Sequence, residues 1–206
     1  MACNVVIVDY GTGNLSSVER SLARLGAEFL VSSRAADIDR CEKLILAGVG
    51  HFGRAMEGLR KNGLIEPLEK AVLIDRKPVL GICLGMELMA RSSEEGNVEG
   101  LGWLDANVVK FSVLDKVRYK VPHIGWNRVG VKKASRLMDN IPASAEFYFL
   151  HSYHLELGDR SILLNDSRHE EVFTAAVEKE NIYGVQYHPE KSHRVGLQLL
   201  KNFVDL

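Results

Sequence analysis

The most informative stretch of the sequence is Pro78-Val79-Leu80-Gly81-Ile82-Cys83-Leu84-Gly85-Met86-Glu87. Its apolar first half predicts a buried strand, and the residues after Cys83 predict the start of a helix. Gly81 and Gly85 flank the cysteine and remove side chains that would clash in a tight strand-to-helix turn. The N-terminus of the following helix is expected to lower the pKa of the thiol and to direct backbone N–H groups at a developing oxyanion. The pattern therefore predicts a cysteine nucleophile.

Buried packing is the common role of a free cysteine, and it is the alternative for Cys83. A glycine on each side of a core cysteine at a strand end serves no packing purpose, so the nucleophile is favoured. Cys3 and Cys41 lack this setting, and we expect them to be packing residues.

A second stretch offers a base for the thiol and a group that orients the base. It reads Ile182-Tyr183-Gly184-Val185-Gln186-Tyr187-His188-Pro189-Glu190 and predicts a strand that ends at His188. Pro189 restricts the backbone at its own position and at the residue before it, so the imidazole and the Glu190 carboxylate would keep a defined relation. A lone histidine is more often a surface or core residue than a catalyst. Together with Cys83, the pair fits a thiol, its base and an orienting acceptor at neighbouring strand ends.

A glycine-rich bend follows another predicted strand, in Leu46-Ala47-Gly48-Val49-Gly50-His51-Phe52-Gly53. Its glycines would let a backbone N–H approach a substrate carbonyl and complete an oxyanion hole with the amide of Leu84. A plain turn is the alternative. The bend does not match a phosphate-binding loop, because no Gly-Lys-Ser/Thr follows it and the dinucleotide fingerprint is absent.

Short apolar runs alternate with helical patterns through the first half of the chain. Strands are predicted at 5–9, 29–31, 44–46 and 79–82, and helices at 16–25 and near 52–61, 64–75 and 85–91. This alternation implies a parallel sheet covered on both faces. Strand-like pieces at 106–133 and 146–186 predict added, partly antiparallel strands in the same sheet, and a helix at 196–204 closes the chain.

We therefore expect an α/β fold with an open, mostly parallel central sheet, helices on both faces and antiparallel strands in the second half. No internal repeat or linker is visible, so a single domain of residues 1–206 is predicted.

The composition narrows the possible functions. The 206 residues include 26 Lys and Arg against 27 Asp and Glu, a net charge of −1, so no basic face for a nucleic-acid backbone is expected. The 3 widely spaced cysteines indicate free thiols in a reducing compartment. No signal peptide is recognisable and no apolar run approaches about 18 residues, so we expect no membrane association and a cytoplasmic location.

Taken together, the segments at 81–85, 48–50 and 188–190 resemble the class I glutamine amidotransferases. A narrower resemblance is to the glutaminase subunits of imidazole glycerol phosphate synthases. It is carried by Asp9-Tyr10-Gly11-Thr12-Gly13-Asn14, Pro122-His123-Ile124-Gly125-Trp126-Asn127, Phe149-Leu150-His151-Ser152-Tyr153 and Gly184-Val185-Gln186-Tyr187-His188-Pro189-Glu190-Lys191-Ser192. The resemblance extends from residue 4 to residue 204, nearly the whole chain.

This resemblance implies an enzyme that hydrolyses L-glutamine to glutamate and ammonia. The ammonia would pass to a cyclase or synthase subunit with a (β/α)8 barrel, and the two subunits would form a heterodimer. The products of that heterodimer would be imidazole glycerol phosphate and an aminoimidazole carboxamide ribotide, in histidine biosynthesis. The resemblance implies no cofactor and no metal.

The resemblance also implies roles for individual residues. Cys83 would form the γ-glutamyl thioester, His188 would carry the proton, and Glu190 would orient His188. The oxyanion hole would comprise Val49, Gly50 and Leu84. Glutamine would be bound by Gly48, Glu87, His151, Ser152 and Tyr153. The partner interface and the ammonia exit would include Tyr10, Gly11, Asn14, Trp126 and Lys191.

Two residues depart from the usual pattern of this family. Ala47 stands where proline usually precedes the Gly-Val-Gly bend, which removes a restriction on the backbone ahead of the oxyanion hole. Glu87 stands where the family usually has glutamine. A carboxylate facing the substrate would pair with the ammonium group of glutamine and repel its carboxylate, so we expect an altered binding geometry.

Three alternatives are consistent with the sequence. Asn181-Ile182-Tyr183-Gly184 and Lys191-Ser192-His193-Arg194-Val195-Gly196 also resemble paralogues that supply ammonia for amidination of surface-polysaccharide sugars, with a different synthetase. A thiol γ-glutamyl hydrolase or peptidase could use the same scaffold. A regulatory module that has lost catalysis is the third, and the presence of Cys83, His188 and Glu190 argues against it.

Overall fold

The computed structural model of the chain describes residues 4–11 and 15–206. The helices are α1 (Ser16–Arg24), α2 (Ala35–Arg40), α3 (Phe52–Lys61), α4 (Ile65–Glu69), α5 (Leu84–Glu87) and α6 (His193–Val204). The strands are β1 (Val5–Val8), β2 (Phe29–Ser32), β3 (Lys43–Gly48), β4 (Val79–Cys83), β5 (Ser92–Ser93), β6 (Val98–Glu99), β7 (Ala106–Lys110), β8 (His123–Arg128), β9 (Gly130–Val131), β10 (Glu146–His151), β11 (Tyr153–Leu157), β12 (Leu163–His169), β13 (Glu171–Lys179) and β14 (Ile182–Val185). A π-helical turn (Lys70–Ile74) continues α4, and 3₁₀ turns occupy Arg136–Met138, Arg160–Ile162 and Pro189–Lys191. Within the two described ranges, no helix is long and apolar enough to cross a membrane.

Parallel strands form the part of the main sheet that carries the site, in the order β2-β1-β3-β4-β14. Strand β1 reads Val-Val-Ile-Val and is buried throughout. Its side chains alternate between the two faces. Val6 and Val8 join a hydrophobic cluster with residues of α2, α3 and α4, and Val5 and Ile7 join one with residues of α1 and α6. Apolar parallel strands need this cover on both faces, and the predicted α/β fold is confirmed.

Mostly antiparallel strands extend the sheet beyond β14, and β5 pairs with β7 in parallel. β13 pairs with β14, and β11, β7, β5 and β6 follow in that order, while β12 and β9 lie off this path beside β13. β8 and β10 differ from the prediction, because in the described residues they pair only with each other, as a separate two-stranded sheet. Phe147 and Phe149 of β10 are buried in the cluster on the α1 and α6 side. This pair therefore packs against one face of the main sheet instead of extending its edge.

Two helical elements also differ from the sequence-based expectation. α2 was not predicted, because it has only six residues and Ile38 as its fully buried side chain, too few for a helical period. The helix predicted near 85–91 is α5, which ends at Glu87. After it, Met89 and Ala90 donate to carbonyl groups three residues earlier, as in a 3₁₀ turn.

Helix α3 packs directly on the chain that follows β1. A Cβ atom on Gly58 would overlap the backbone carbonyl oxygen of Tyr10, whose side chain is buried. Gly53 lies on the same helix, and a Cβ atom there would come no closer than 3.3 Å to any neighbour, the nearest being the ring of His51. The packing of α3 therefore requires glycine at 58 and not at 53.

Gly58→Ala should lower the free energy of unfolding by about 2 kcal/mol, because overlap with a backbone atom outweighs the roughly 1 kcal/mol that alanine gains over glycine in a helix. Gly53→Ala is the matched control and should change stability by less than about 1 kcal/mol. Urea unfolding followed by circular dichroism measures both. Equal unfolding midpoints for the two variants would contradict this packing of α3.

Candidate active site

The predicted nucleophile lies on a strained elbow. β4 ends at Cys83 and α5 begins at the next residue, and Cys83 has φ +52° and ψ −111°. Residues other than glycine seldom adopt a positive φ, and such strain clusters at functional sites. A Cβ atom on Gly81 would lie 2.6 Å from the backbone nitrogen of Met86, and one on Gly85 would overlap the carbonyl oxygen of Leu46. The flanking glycines therefore let the elbow fold against itself and against β3.

His188 and Glu190 lie after the neighbouring strand as a hydrogen-bonded pair. β14 runs parallel to β4, with Val185 opposite Ile82, and His188 follows shortly after β14. Its Nδ1 atom lies 2.8 Å from Oε1 of Glu190, and the two side chains are 1% and 5% exposed. The carboxylate accepts, so Nδ1 carries the hydrogen, and in the neutral ring Nε2 presents a lone pair. No group in the described part of the chain bonds to this Nε2.

The thiol of Cys83 contacts two polar groups. Its sulfur lies 3.9 Å from the carbonyl oxygen of Leu150 and 3.8 Å from Nε2 of Gln186. Among residues 4–11 and 15–206, no hydrogen bond joins the thiol to His188. Hydrogen bonds between catalytic groups often tighten only when substrate is in place. The structure thus brings the three predicted catalytic residues to adjacent strand ends, with the thiol turned toward Leu150.

The surroundings of the thiol raise its pKa, which corrects the expectation that a helix N-terminus would lower it. Burial is the largest cause, and the negative charge of Glu87 adds to it. Hydrogen bonds from the backbone of Leu84 and from Gln186 act in the opposite direction and are outweighed. α5 has only four residues, so its dipole is too weak to offset removal of the thiolate from water. The site therefore holds a neutral thiol at rest.

A cavity of about 220 Å³ opens beside this thiol. Its lining comprises Val49, Gly50, Cys83, Leu84, Glu87, Glu95, Pro122, Leu150, His151, Ser152 and Tyr153. The cavity brings together the three predicted oxyanion-hole residues and every predicted glutamine-binding residue except Gly48. It is small and partly polar, as a site for one amino acid should be.

Gly48 and Tyr10 do not occupy the predicted positions. The Tyr10 side chain is buried, and its hydroxyl donates to the carbonyl oxygen of Ala47 at 2.9 Å. A buried ring with a partner for its hydroxyl is favoured over an exposed one, so this side chain is not on a partner-facing surface. A Cβ atom on Gly48 would overlap the same hydroxyl. Gly48 therefore makes room for Tyr10 and does not line the cavity.

The other residues predicted to face a partner lie at or near the surface. Gly11 is exposed and Lys191 is partly buried. Trp126 is 45% exposed, and its ring stacks on that of His193 at 4.9 Å between ring centres. Asn14 lies outside the described residues, as does Cys3, while Cys41 is buried as predicted.

Two polar residues of the site, Glu95 and Gln186, were not singled out by sequence reasoning. Glu95 lines the cavity, and its Oε2 atom accepts the backbone N–H of Phe52 at 2.6 Å. Gln186 donates from Nε2 to Oε1 of Glu87 at 2.8 Å. Two consecutive carboxylates in a turn, Ser93-Glu94-Glu95-Gly96, are the signal that could have identified Glu95.

The charge of Glu87 depends on pH near neutrality. Burial raises its pKa to about 7, and the hydrogen bond from Gln186 limits the rise. Above pH 7 the ionised carboxylate opposes formation of the Cys83 thiolate, and below its pKa the neutral acid no longer does so.

Residues 6–206 match the family model described as glutamine amidotransferase class-I, and the chain belongs to this family. The chain is 46% identical over 202 residues to "Imidazole glycerol phosphate synthase subunit HisH 2" of Pseudomonas aeruginosa, across 98% of this chain and 99% of that protein. A protein of the same name from Methanococcus maripaludis is 44% identical over 200 residues, across 97% and 98%.

Solved structures show the same fold at lower identity. A crystal structure described as a glutamine amidotransferase gives a TM-score of 0.74 at 19% identity, across 98% of each chain. The glutaminase domain of Trypanosoma brucei CTPS with bound acivicin gives 0.65 at 16% identity, across 98% of this chain and 94% of that one.

Glu87→Gln should speed alkylation of Cys83 by iodoacetamide above pH 7, because it removes a charge that raises the pKa of the thiol. The difference from the unchanged protein should shrink as the pH falls through about 7, where Glu87 takes up a proton. Mass spectrometry of the peptide containing residue 83 measures the rate, and Cys41 in the same sample is the internal control. A rate at pH 8 that is unchanged or slower in the variant would contradict this electrostatic coupling.

Proposed function

We propose that this chain hydrolyses L-glutamine to L-glutamate and ammonia through a thioester on Cys83. The observation that carries the proposal is the strained Cys83 elbow after β4 beside the buried His188–Glu190 pair after β14. A thiol, a histidine with a free Nε2 and a carboxylate that orients the histidine are the parts that acyl transfer needs. Membership of the class-I glutamine amidotransferases supports the same reaction, and the whole chain would act as one glutaminase domain.

Acylation would begin with proton transfer. His188 takes the thiol proton on Nε2 as the sulfur attacks the amide carbon of glutamine, and Glu190 stabilises the resulting imidazolium. The carbon–nitrogen bond then breaks, and His188 returns the proton to the leaving nitrogen, which departs as ammonia. A water deprotonated by the same histidine attacks the thioester, glutamate is released, and the sulfur recovers its proton.

The raised pKa of Cys83 makes the base indispensable in this scheme. Burial keeps the thiol neutral at rest, so no preformed thiolate awaits the substrate. Proton transfer to His188 must accompany attack, and the buried hydrogen bond to Glu190 at 2.8 Å keeps the imidazole oriented for it.

Backbone N–H groups of Val49, Gly50 and Leu84 would bind the developing oxyanion. All three residues line the cavity beside the sulfur. Gly50 has φ +124°, a conformation that suits glycine alone. Ala47, which replaces the family's usual proline, has its carbonyl held by the Tyr10 hydroxyl at 2.9 Å, so the strand end before the bend is anchored by another route.

Two carboxylates would recognise the amino-acid end of the substrate. Glu87 and Glu95 both line the cavity, and an ionised carboxylate is a strong partner for the α-ammonium group of glutamine. The same cavity is also lined by His151, Ser152 and Tyr153. Glu87, which stands where the family usually has glutamine, lines the same cavity as Glu95. Both carboxylates would therefore be available to the ammonium group of the substrate.

The ammonia would pass to a synthase subunit with a (β/α)8 barrel that makes imidazole glycerol phosphate and an aminoimidazole carboxamide ribotide. The similar proteins from two organisms carry the name of that synthase's HisH subunit and match nearly the full chain. The exposed Trp126 with Gly11 and Lys191 would contribute to the heterodimer interface. The thiols of Cys41 and Cys83 are buried and form no disulfide, which suits a reducing compartment, so we propose a cytoplasmic location with this function.

Cys83→Ala, assembled with the barrel subunit of the histidine pathway, should lose glutamine-dependent synthesis by at least about a thousandfold, because no thioester can form. Synthesis from added ammonium salts should be unchanged, since the acceptor site lies on the other subunit. Product formation from each nitrogen source measures both.

The matched control is Cys41→Ala, which removes a buried thiol away from the cavity and should retain glutamine-dependent synthesis. Loss of both activities in Cys83→Ala would contradict the division of labour between subunits. Amidation only with a sugar-modifying synthetase would replace the proposed acceptor while leaving the glutaminase intact.

A further inference from the structure

Several histidines gather outside the catalytic pair. His123, His151, His154 and His169 surround the rings of Phe111 and Phe173. Of these, only His151 lines the cavity beside Cys83 among the described residues. His123 is hydrogen-bonded to His151, and the proposed glutaminase reaction gives it no role.

His123 and His151 form a buried hydrogen bond between the two strands of the small sheet. They stand opposite each other in the β8–β10 register, and Nδ1 of His123 lies 3.0 Å from Nε2 of His151. The other nitrogen of His151, Nδ1, lies 2.6 Å from the carbonyl oxygen of Tyr153. The His123 ring is stacked between Phe149 and His169, at 5.0 and 4.3 Å between ring centres, so its orientation is fixed.

The direction of both hydrogen bonds follows from their acceptors. A carbonyl oxygen only accepts, so Nδ1 of His151 carries a hydrogen and donates to Tyr153. Burial lowers the pKa of His151 well below its usual range and that of His123 to about 4, so both rings are neutral near pH 7. Neutral His151 then has a lone pair on Nε2, and His123 must donate to it. Two hydrogen bonds therefore run in one direction: His123 donates to His151, and His151 donates to the Tyr153 carbonyl.

We infer that His123 is a positioning residue for glutamine, holding His151 and, through it, the Ser152-Tyr153 wall of the cavity in place. This inference rests on the proposed function, because it takes the cavity beside Cys83 as the glutamine site. His123 does not line that cavity, so it acts through His151. Without the bond from His123, the buried Nε2 of His151 would lose its donor, and the ring would be free to leave the Tyr153 carbonyl.

Strand β8, which begins at His123, presents its other face to solvent. β8 alternates, so that His123 points inward while Ile124 and Trp126 are 58% and 45% exposed. The outer face of β8 is therefore open, while the first residue of the strand, His123, is bonded to His151 on the inner side. Pro122, directly before His123, lines the cavity as well.

The test compares glutaminase kinetics of His123→Phe, His123→Asn and His154→Phe, each assembled with the barrel subunit. His123→Phe keeps a stacked ring but removes the donor, and should raise KM for glutamine about tenfold with kcat changed less than about threefold. His123→Asn places an amide N–H where Nδ1 was, and should bring KM to within about threefold of the unchanged protein. His154→Phe is the matched control, because His154 belongs to the same aromatic cluster but bonds only to the Leu155 carbonyl among the described residues, and should leave KM unchanged.

A second readout does not depend on turnover. In nitrogen NMR of labelled histidine, the Nε2 signal of His151 should shift toward that of an unbonded nitrogen in His123→Phe and return in His123→Asn. An unchanged KM in a folded His123→Phe variant, or a KM in His123→Asn as high as in His123→Phe, would overturn the positioning role. Absence of glutaminase activity in the unsubstituted complex would instead overturn the proposed function, while the NMR comparison would still test the hydrogen bond itself.

Discussion

The close backbone contact between the Cys83 elbow and β3 is the constraint on which the rest of the site depends. Gly85 lies so near the carbonyl oxygen of Leu46, and Gly81 so near the backbone of Met86, that neither position admits a side chain. This contact holds Cys83 at φ +52°, a conformation whose cost of about 1–3 kcal/mol must be met by the surrounding packing. The same contact sets the distance between the end of β4 and the bend at 48–50. The proposed nucleophile and the proposed oxyanion hole are therefore positioned by a single feature of the core.

The electrostatics of the site follow from its burial. The carboxylates of Glu87 and Glu190 both raise the pKa of the thiol, on top of the larger effect of removing it from water. A site with so much negative charge suits an ammonium-bearing substrate and disfavours a resting thiolate. In the proposed mechanism, reactivity then depends on His188 taking the proton at the moment of attack, with Glu190 as its hydrogen-bonded partner. The placement of β14 next to β4 makes this possible, because two parallel neighbours end at the same edge of the sheet.

Local signals carried most of what could be predicted from the sequence. The apolar run before Cys83, its two glycines and the His188-Pro189-Glu190 turn are patterns within short windows, and they predicted the elbow, the His188–Glu190 pair and the α/β class. Features that depend on contacts between residues far apart in the chain could not be predicted from these short patterns. They include the burial of Tyr10 under Ala47, the separate β8–β10 pair and the role of Gly48. The prediction of a lowered pKa for the Cys83 thiol was wrong for the same reason. Desolvation by the whole fold raises this pKa and outweighs the dipole of a four-residue helix. Glu95 reaches the cavity through a turn that bonds to Phe52 at the start of α3, and His123 meets His151 only when β8 and β10 pair.

The proposed role of Cys83 is that of a nucleophile made reactive in place by the elbow and by His188. Its most direct test is labelling with the diazoketone analogue of glutamine, followed by peptide mapping. We expect a single covalent label, on Cys83, with Cys3 and Cys41 unmodified. The label should disappear when excess glutamine competes for the cavity and when His188 is replaced by alanine. Labelling of Cys41 at a similar rate, or an unlabelled Cys83 in the folded complex, would contradict this role.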